Sequence, residues 1–166
     1  MTLGPNLLHA VLLACAIACL LFTRGEVRHR PLTMARLWAP PLSSVGVAAA
    51  FLLIHLGTRQ SAWTFAAAGF VGLAVGLVRG LTLKIEVDHM FDKVRLPRAR
   101  GSFVLALVLL GAVALEVIGA FMGPVHVLYR EFAPEVAAFC AGVFTFRAMA
   151  IRIRWRRVPY VDLHRA

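Results

Sequence analysis

Five long apolar blocks constrain the fold of this sequence more than any other feature. A helix needs about 20 mostly apolar residues to cross roughly 30 Å of hydrocarbon. The blocks predict membrane spans at 3–23, 41–57, 62–78, 102–122 and 132–151. We expect a single integral membrane domain over 1–166, because 60% of the residues are hydrophobic and only 16% are charged. This composition excludes both a soluble globular enzyme and an intrinsically disordered chain.

The positions of the basic residues predict the orientation. Sixteen of the 18 Lys and Arg residues follow the first or third span or lie at the C-terminal end, and only Arg59 and Arg130 lie on the other side. The positive-inside rule then places the N-terminus outside and the C-terminus in the cytoplasm. The net charge of +10 therefore indicates topology and attraction to anionic lipid at the cytoplasmic face, not nucleic-acid binding. We expect a multi-pass protein of a bacterial inner membrane whose partners are the bilayer and other membrane subunits.

The segment 81–97, between the third and fourth spans, predicts a cytoplasmic β-hairpin with a turn at 89–92. Apolar residues alternate with polar ones on both sides of the turn: Leu83, Ile85, Val87, Val94 and Leu96. The other face is expected to pair acidic residues such as Asp88 with basic residues of the second strand. Because a lone hairpin is marginal in water, we expect the membrane, the loop at 28–38 or a partner to hold it.

Small residues on the third span predict a helix-packing face. Ala68, Gly72, Gly76 and Gly80 recur every four residues and form one ridge. Small residues let helix backbones approach closely in lipid. The ridge is either a close contact within the five-helix bundle or a docking seam for another subunit. In both cases we expect the third helix to be the central one.

Ionisable residues within spans are candidate functional groups. Glu116 lies six residues before the outer end of the fourth span, His9 and His55 lie on the same outer side, and His126 lies in an outer loop. One interpretation is a hydrogen-bonded Glu116–His9 pair that ties two helices together. A second is a haem- or metal-binding site formed by His9, His55 and Glu116, with His126 as a loop ligand. A third is a proton relay.

The remaining polar and sulfur-bearing residues have structural interpretations. Arg79 and Arg147, near the cytoplasmic ends of their spans, are expected to extend towards the interface. Cys15, Cys19 and Cys140 lie in apolar blocks, where thiols are inert filler. The sequence has no catalytic triad, P-loop or dinucleotide-binding turn. We therefore predict no enzyme activity and no cofactor. The alternative is the haem or metal site described above.

One arrangement of segments resembles a known family. The run 72–80 reads G-x-x-x-G-x-x-R-G and leads into the basic alternating segment, and 34–38 precede a span that starts with proline. This arrangement resembles the CcdC-like family of small bacterial membrane proteins, over roughly residues 20–151. Here the turn at 89–92 lacks the usual glycine. The resemblance implies a third helix followed by a short strand pair; it implies no established activity.

Three function hypotheses follow from these features. The leading one is a non-enzymatic accessory or scaffold subunit of a larger inner-membrane complex. The first alternative is a haem- or copper-handling protein of respiratory or cytochrome biogenesis. The second alternative is a small permease that uses Glu116 as its proton carrier.

Overall fold

The structure is a computed structural model that describes residues 7–27, 32–55, 62–88, 93–97, 100–122 and 132–158. The described chain is mostly helical. Its helices are α1 (Leu7–Val27), α2 (Met34–Leu37), α3 (Ala39–His55), α4 (Ala62–Thr82), α5 (Arg100–Met122) and α6 (Ala133–Trp155). Its strands are β1 (Leu32–Thr33), β2 (Glu86–Asp88) and β3 (Lys93–Arg95). The turn at 89–92 and His126 lie outside the described residues.

Five helical segments of this described chain are long and apolar enough to cross a membrane, which confirms the number of spans expected from the apolar blocks. They are α1, α4, α5, α6 and one segment that α2 and α3 form together. Pro40 and Pro41 fall in the first turn of α3, where a missing backbone N–H costs no intrahelical hydrogen bond. α1 continues beyond its predicted end to Val27, which brings Glu26 into the helix.

The central helix is α6, so the prediction that the third span is central is wrong. α6 packs against α3, α4 and α5, whereas α6 is the one extensive neighbour of α4 within the described chain. In the most apolar stretch of each helix, the buried share is 61% for α6 and 17% for α4. The reason is that α6 has small residues around much of its circumference, which lets several helices approach it. These residues are Ala137, Ala138, Ala141, Gly142, Ala148 and Ala150.

Glycines form the contact between α4 and α6. A Cβ added at Gly72 would overlap the carbonyl oxygen of Phe139, and one added at Gly76 would overlap the carbonyl oxygen of Val143. The positions advance by four residues on both helices, so α4 and α6 run parallel with their backbones in contact. Such an approach is possible in lipid only where the side chains are very small.

The same ridge continues at Gly80, where an added Cβ would lie 2.6 Å from the Cβ of Ala150. Gly142 plays the matching role on α6, since a Cβ there would lie 2.6 Å from the carbonyl oxygen of Gly69. Ala68, at the other end of the predicted ridge, is half-buried. The glycines of the ridge therefore meet α6 within the chain and are not available to a second protein.

A three-stranded antiparallel sheet lies at the end of the bundle where α4 ends and α5 begins. Val94 of β3 pairs with Val87 of β2 on one side and with Leu32 of β1 on the other. The segment between α1 and α2 thus supplies a third strand to the predicted hairpin. The apolar face of the sheet packs with Ala148 and Ile151 of α6, so the helix bundle holds the sheet in place.

Acidic residues of β2 lie opposite basic residues of β3, as the sequence predicts. Glu86 lies opposite Arg95, and Asp88 lies opposite Lys93. The Glu86 and Arg95 side chains form an ion pair of 3.7 Å at the surface. Asp88 is fully buried, as is its neighbour Val87. Because successive strand residues point to opposite faces, both faces of β2 are covered at this end.

Candidate functional site

An enclosed ion pair joins α1 to α6 at the end of the bundle that carries the sheet. Arg147 donates from Nη2 to Oε2 of Glu26 at 2.9 Å and from Nη1 to Oε1 at 3.3 Å. Two parallel bonds of this kind are the strong geometry for an arginine–carboxylate pair. The side chains are only 4% and 2% exposed. The expectation that Arg147 extends towards the interface is therefore wrong, because Glu26 offers a partner inside the bundle.

Sequence reasoning missed Glu26 because the first span was expected to end at residue 23. The signal that could have found this residue was Arg147 itself. A basic residue one turn inside a predicted span needs either an escape route to water or an acidic partner. The first span is predicted to run in the same direction as the fifth, and Glu26 is the acidic residue that follows its end most closely.

Arg154 binds the carboxyl-terminal end of α4. Its Nη1 atom donates to the carbonyl oxygen of Gly80 at 3.0 Å and to that of Leu83 at 2.7 Å. The last carbonyl groups of a helix have no intrahelical donor, so a guanidinium there satisfies them and also complements the helix dipole. This contact ties α6 to α4 and to the start of the sheet segment.

A second polar contact lies at the opposite end of the bundle. His55 Nε2 and Glu116 Oε2 are 3.8 Å apart, and their side chains are 15% and 0% exposed. The imidazole ring also stacks on Phe51, with ring centroids 6.2 Å apart and an interplanar angle of 9°. At this separation the contact becomes an ion pair when His55 is protonated. The structure thus joins two of the predicted site residues.

His9 lies near the start of α1 at this same end of the bundle and is buried. The predicted loop ligand His126 lies outside the described residues. In the part of the chain that the structure does describe, no group of three His, Cys, Asp or Glu side chains is placed to hold a metal ion. Two of the cysteines contact backbone carbonyls inside the bundle: Cys19 the oxygen of Pro40, and Cys140 that of Leu105.

An apolar cleft of about 260 Å³ opens between α3 and α4, with α6 as its floor. Most of its lining side chains are small or aliphatic. The lining residues are Val45, Ala48, Phe65, Ala66, Gly69, Leu73, Ala138, Ala141, Gly142 and Thr145. The hydroxyl of Thr145 already donates to the carbonyl oxygen of Ala141 at 2.7 Å. The cleft is therefore suited to an apolar occupant.

The fold defines a class of protein: five apolar helices that fit a multi-pass membrane protein, with a small sheet at one end. No family model, no curated protein and no solved structure matches this chain. The function has to follow from the contacts of the chain itself, namely the two polar pairs and the cleft.

Proposed function

We propose that the protein is a non-enzymatic accessory or scaffold subunit of a larger bacterial inner-membrane complex. A transmembrane helix of another subunit would occupy the cleft between α3 and α4. The small-residue lining of this cleft is the observation that carries the proposal. In lipid, alanine and glycine surfaces favour helix–helix contact because they allow close backbone approach.

The cleft has unused room along α4. A Cβ added at Gly69 would meet nothing within 4 Å, although the neighbouring Gly72 and Gly76 are in tight contact with α6. Beside the cleft, α4 also leaves large apolar side chains uncovered, with Phe70 70% and Val71 57% exposed. A further helix packed there would give α4 a second neighbour.

The orientation and location belong to the same proposal. We place the N-terminus outside and the C-terminus in the cytoplasm of a bacterial inner membrane. Support comes from the exposed arginines at the end of the bundle that carries the sheet, such as Arg24, Arg36, Arg100 and Arg152. Kinship with the CcdC-like family is proposed on the run 72–80 and the strand pair that follows it.

Filling the cleft is expected to release the partner. The Gly69→Leu variant should lower recovery of the partner about tenfold, because overpacking an interface costs about 1–3 kcal/mol. The measurement is native mass spectrometry of the tagged chain after mild extraction from its own membrane. The wild type should carry a defined additional subunit on its 18.1 kDa chain.

Gly111→Leu is the matched control for this experiment. Gly111 is exposed on α5, and a Cβ there also meets nothing within 4 Å. This variant should keep the partner. A wild-type chain that is recovered only as a monomer would contradict the proposal, as would a Gly69→Leu variant that keeps its partner.

The His55–Glu116 contact favours a second candidate, a small proton-coupled permease with Glu116 as proton carrier. The test uses proteoliposomes under an imposed pH gradient. Glu116→Gln should lower the proton flux at least about tenfold, because a positioned proton-transfer group typically contributes more than this to a rate. Glu135→Gln is the control, because Glu135 is a half-buried carboxylate at the start of α6 that accepts a hydrogen bond from the exposed Thr64. Equal flux through wild type and Glu116→Gln would remove this candidate. The haem- or copper-handling alternative stays a prediction for His9, His55 and Glu116, with His126 outside the described residues.

A further inference from the structure

Arg79, in the last turn of α4, lies against the N-terminus of α5. A Cβ added at Gly101 would overlap Nη2 of Arg79 and would lie 2.7 Å from both Cζ and Nη1. Gly101 is the second residue of α5. The N-terminus of a helix carries a partial positive charge and unpaired N–H groups. A guanidinium therefore lies at a place that favours an anion.

The surrounding charges do not neutralise Arg79. Arg79 interacts electrostatically with both Arg147 and Glu26. The carboxylate of Glu26 is already bound by Arg147 through two hydrogen bonds. These three side chains thus carry one excess positive charge. No residue of the described chain accepts a hydrogen bond from the guanidinium of Arg79.

Ser102 gives an independent indication of a ligand. This serine follows Gly101 in the first turn of α5 and is 2% exposed. Its Oγ atom is buried and has no hydrogen-bond partner within the described chain. The Cα–Cβ bond of a helical residue tilts towards the helix N-terminus, so the Ser102 side chain starts towards the helix end beside which Arg79 lies. A buried hydroxyl without a partner is costly.

We propose that Arg79, Ser102 and the first-turn amides of α5 bind a phosphate-type oxyanion. The guanidinium presents two parallel donors to such a group, and the helix N-terminus adds backbone donors and a favourable dipole. Gly101 is needed because any side chain there would displace the guanidinium. Two sources share this chemistry: the phosphodiester of an anionic lipid headgroup and free phosphate.

Anionic lipid is also the partner expected from the basic residues, and the anion site does not depend on the scaffold proposal. None of its residues lines the cleft between α3 and α4. Loss of the anion site would leave partner recovery through the cleft intact. Failure of either proposal can therefore be recognised separately.

The test is lipid binding to the purified full chain in a neutral detergent, measured by native mass spectrometry during titration with phosphatidylglycerol. Arg79→Gln removes the guanidinium, and Gly101→Ala displaces it while every charge is kept. Arg152→Gln is the control, because Arg152 is exposed on α6 at the same end of the bundle. A second titration uses inorganic phosphate, with sodium chloride at equal ionic strength as its reference and thermal stability as its readout.

We expect Arg79→Gln and Gly101→Ala to bind phosphatidylglycerol about tenfold more weakly, the effect of losing one charge-assisted contact. Arg152→Gln should change binding by less than about twofold, because an exposed charge contributes little. Stabilisation by inorganic phosphate that is lost in both variants would identify free phosphate as a source, and an effect of phosphatidylglycerol alone would identify the lipid. Both results support the site.

Two results would overturn the proposal. One is wild-type binding of both probes by Gly101→Ala, a variant that should fold because alanine favours helix over glycine. The other is an equal loss of binding in Arg79→Gln and Arg152→Gln, which would indicate nonspecific attraction to the basic end of the bundle. If Arg79→Gln does not fold, Gly101→Ala decides the question alone.

Discussion

Replacing Glu26 with glutamine is expected to lower the free energy of unfolding by about 3–5 kcal/mol, the cost of leaving one member of a buried ion pair without its partner. The side chain of Arg147 is 4% exposed, so the surrounding helices prevent water from replacing the lost carboxylate. The measurement is reversible unfolding of the purified chain in mixed detergent micelles, followed by circular dichroism.

The sheet offers a matched control for this prediction. Glu86 and Arg95 also form an ion pair, but Glu86 is 54% exposed and the two side chains are 3.7 Å apart. Glu86→Gln should therefore cost no more than about 1 kcal/mol. The double variant Glu26→Gln/Arg147→Met should recover part of the loss, because no unpaired charge stays buried. Equal stability of Glu26→Gln and Glu86→Gln would contradict an enclosed pair.

The number of helices and the strand pair could be read from the sequence because both depend on local patterns. The length of an apolar block predicts whether that block can span a membrane, and the period of two around Val87 and Val94 predicts the strands that contain them. The central position of α6 could not be read in this way. The central position depends on which helix has small residues facing several neighbours at once. The ridge on the third span is a strong local pattern, but it describes only one face of one helix.

The candidate site residues were only partly predictable for a related reason. Depth along a span placed His9, His55 and Glu116 at one end of the bundle, and the described chain has them there. Which histidine faces Glu116 depends on how α3 and α5 are rotated about their axes, and depth alone does not give rotation. Glu26 was missed because a span predicted from mean hydropathy ends at the first polar residues. A helix can continue through such residues when a buried partner binds their side chains.

The second large effect is expected at Gly76. Gly76→Leu should lower the free energy of unfolding by about 3 kcal/mol, at the upper end of what overpacking costs. A Cβ at this position would overlap the carbonyl oxygen of Val143, and a backbone atom of a packed helix cannot move aside as a flexible side chain can. The same unfolding experiment measures the change. Gly69→Ala is the control, because a Cβ at Gly69 meets nothing within 4 Å.

The Gly76 variant also separates a contact within the chain from a seam between subunits. If α4 meets α6 through this glycine, the purified monomer loses stability, and Gly69→Ala keeps it or gains a little from the better helix propensity of alanine. If the glycine ridge served another subunit instead, the monomer would keep its stability and only recovery of the partner would fall. Stability and partner recovery measured on the same preparation therefore distinguish the two, and the overlap with Val143 leads us to expect the loss in the monomer.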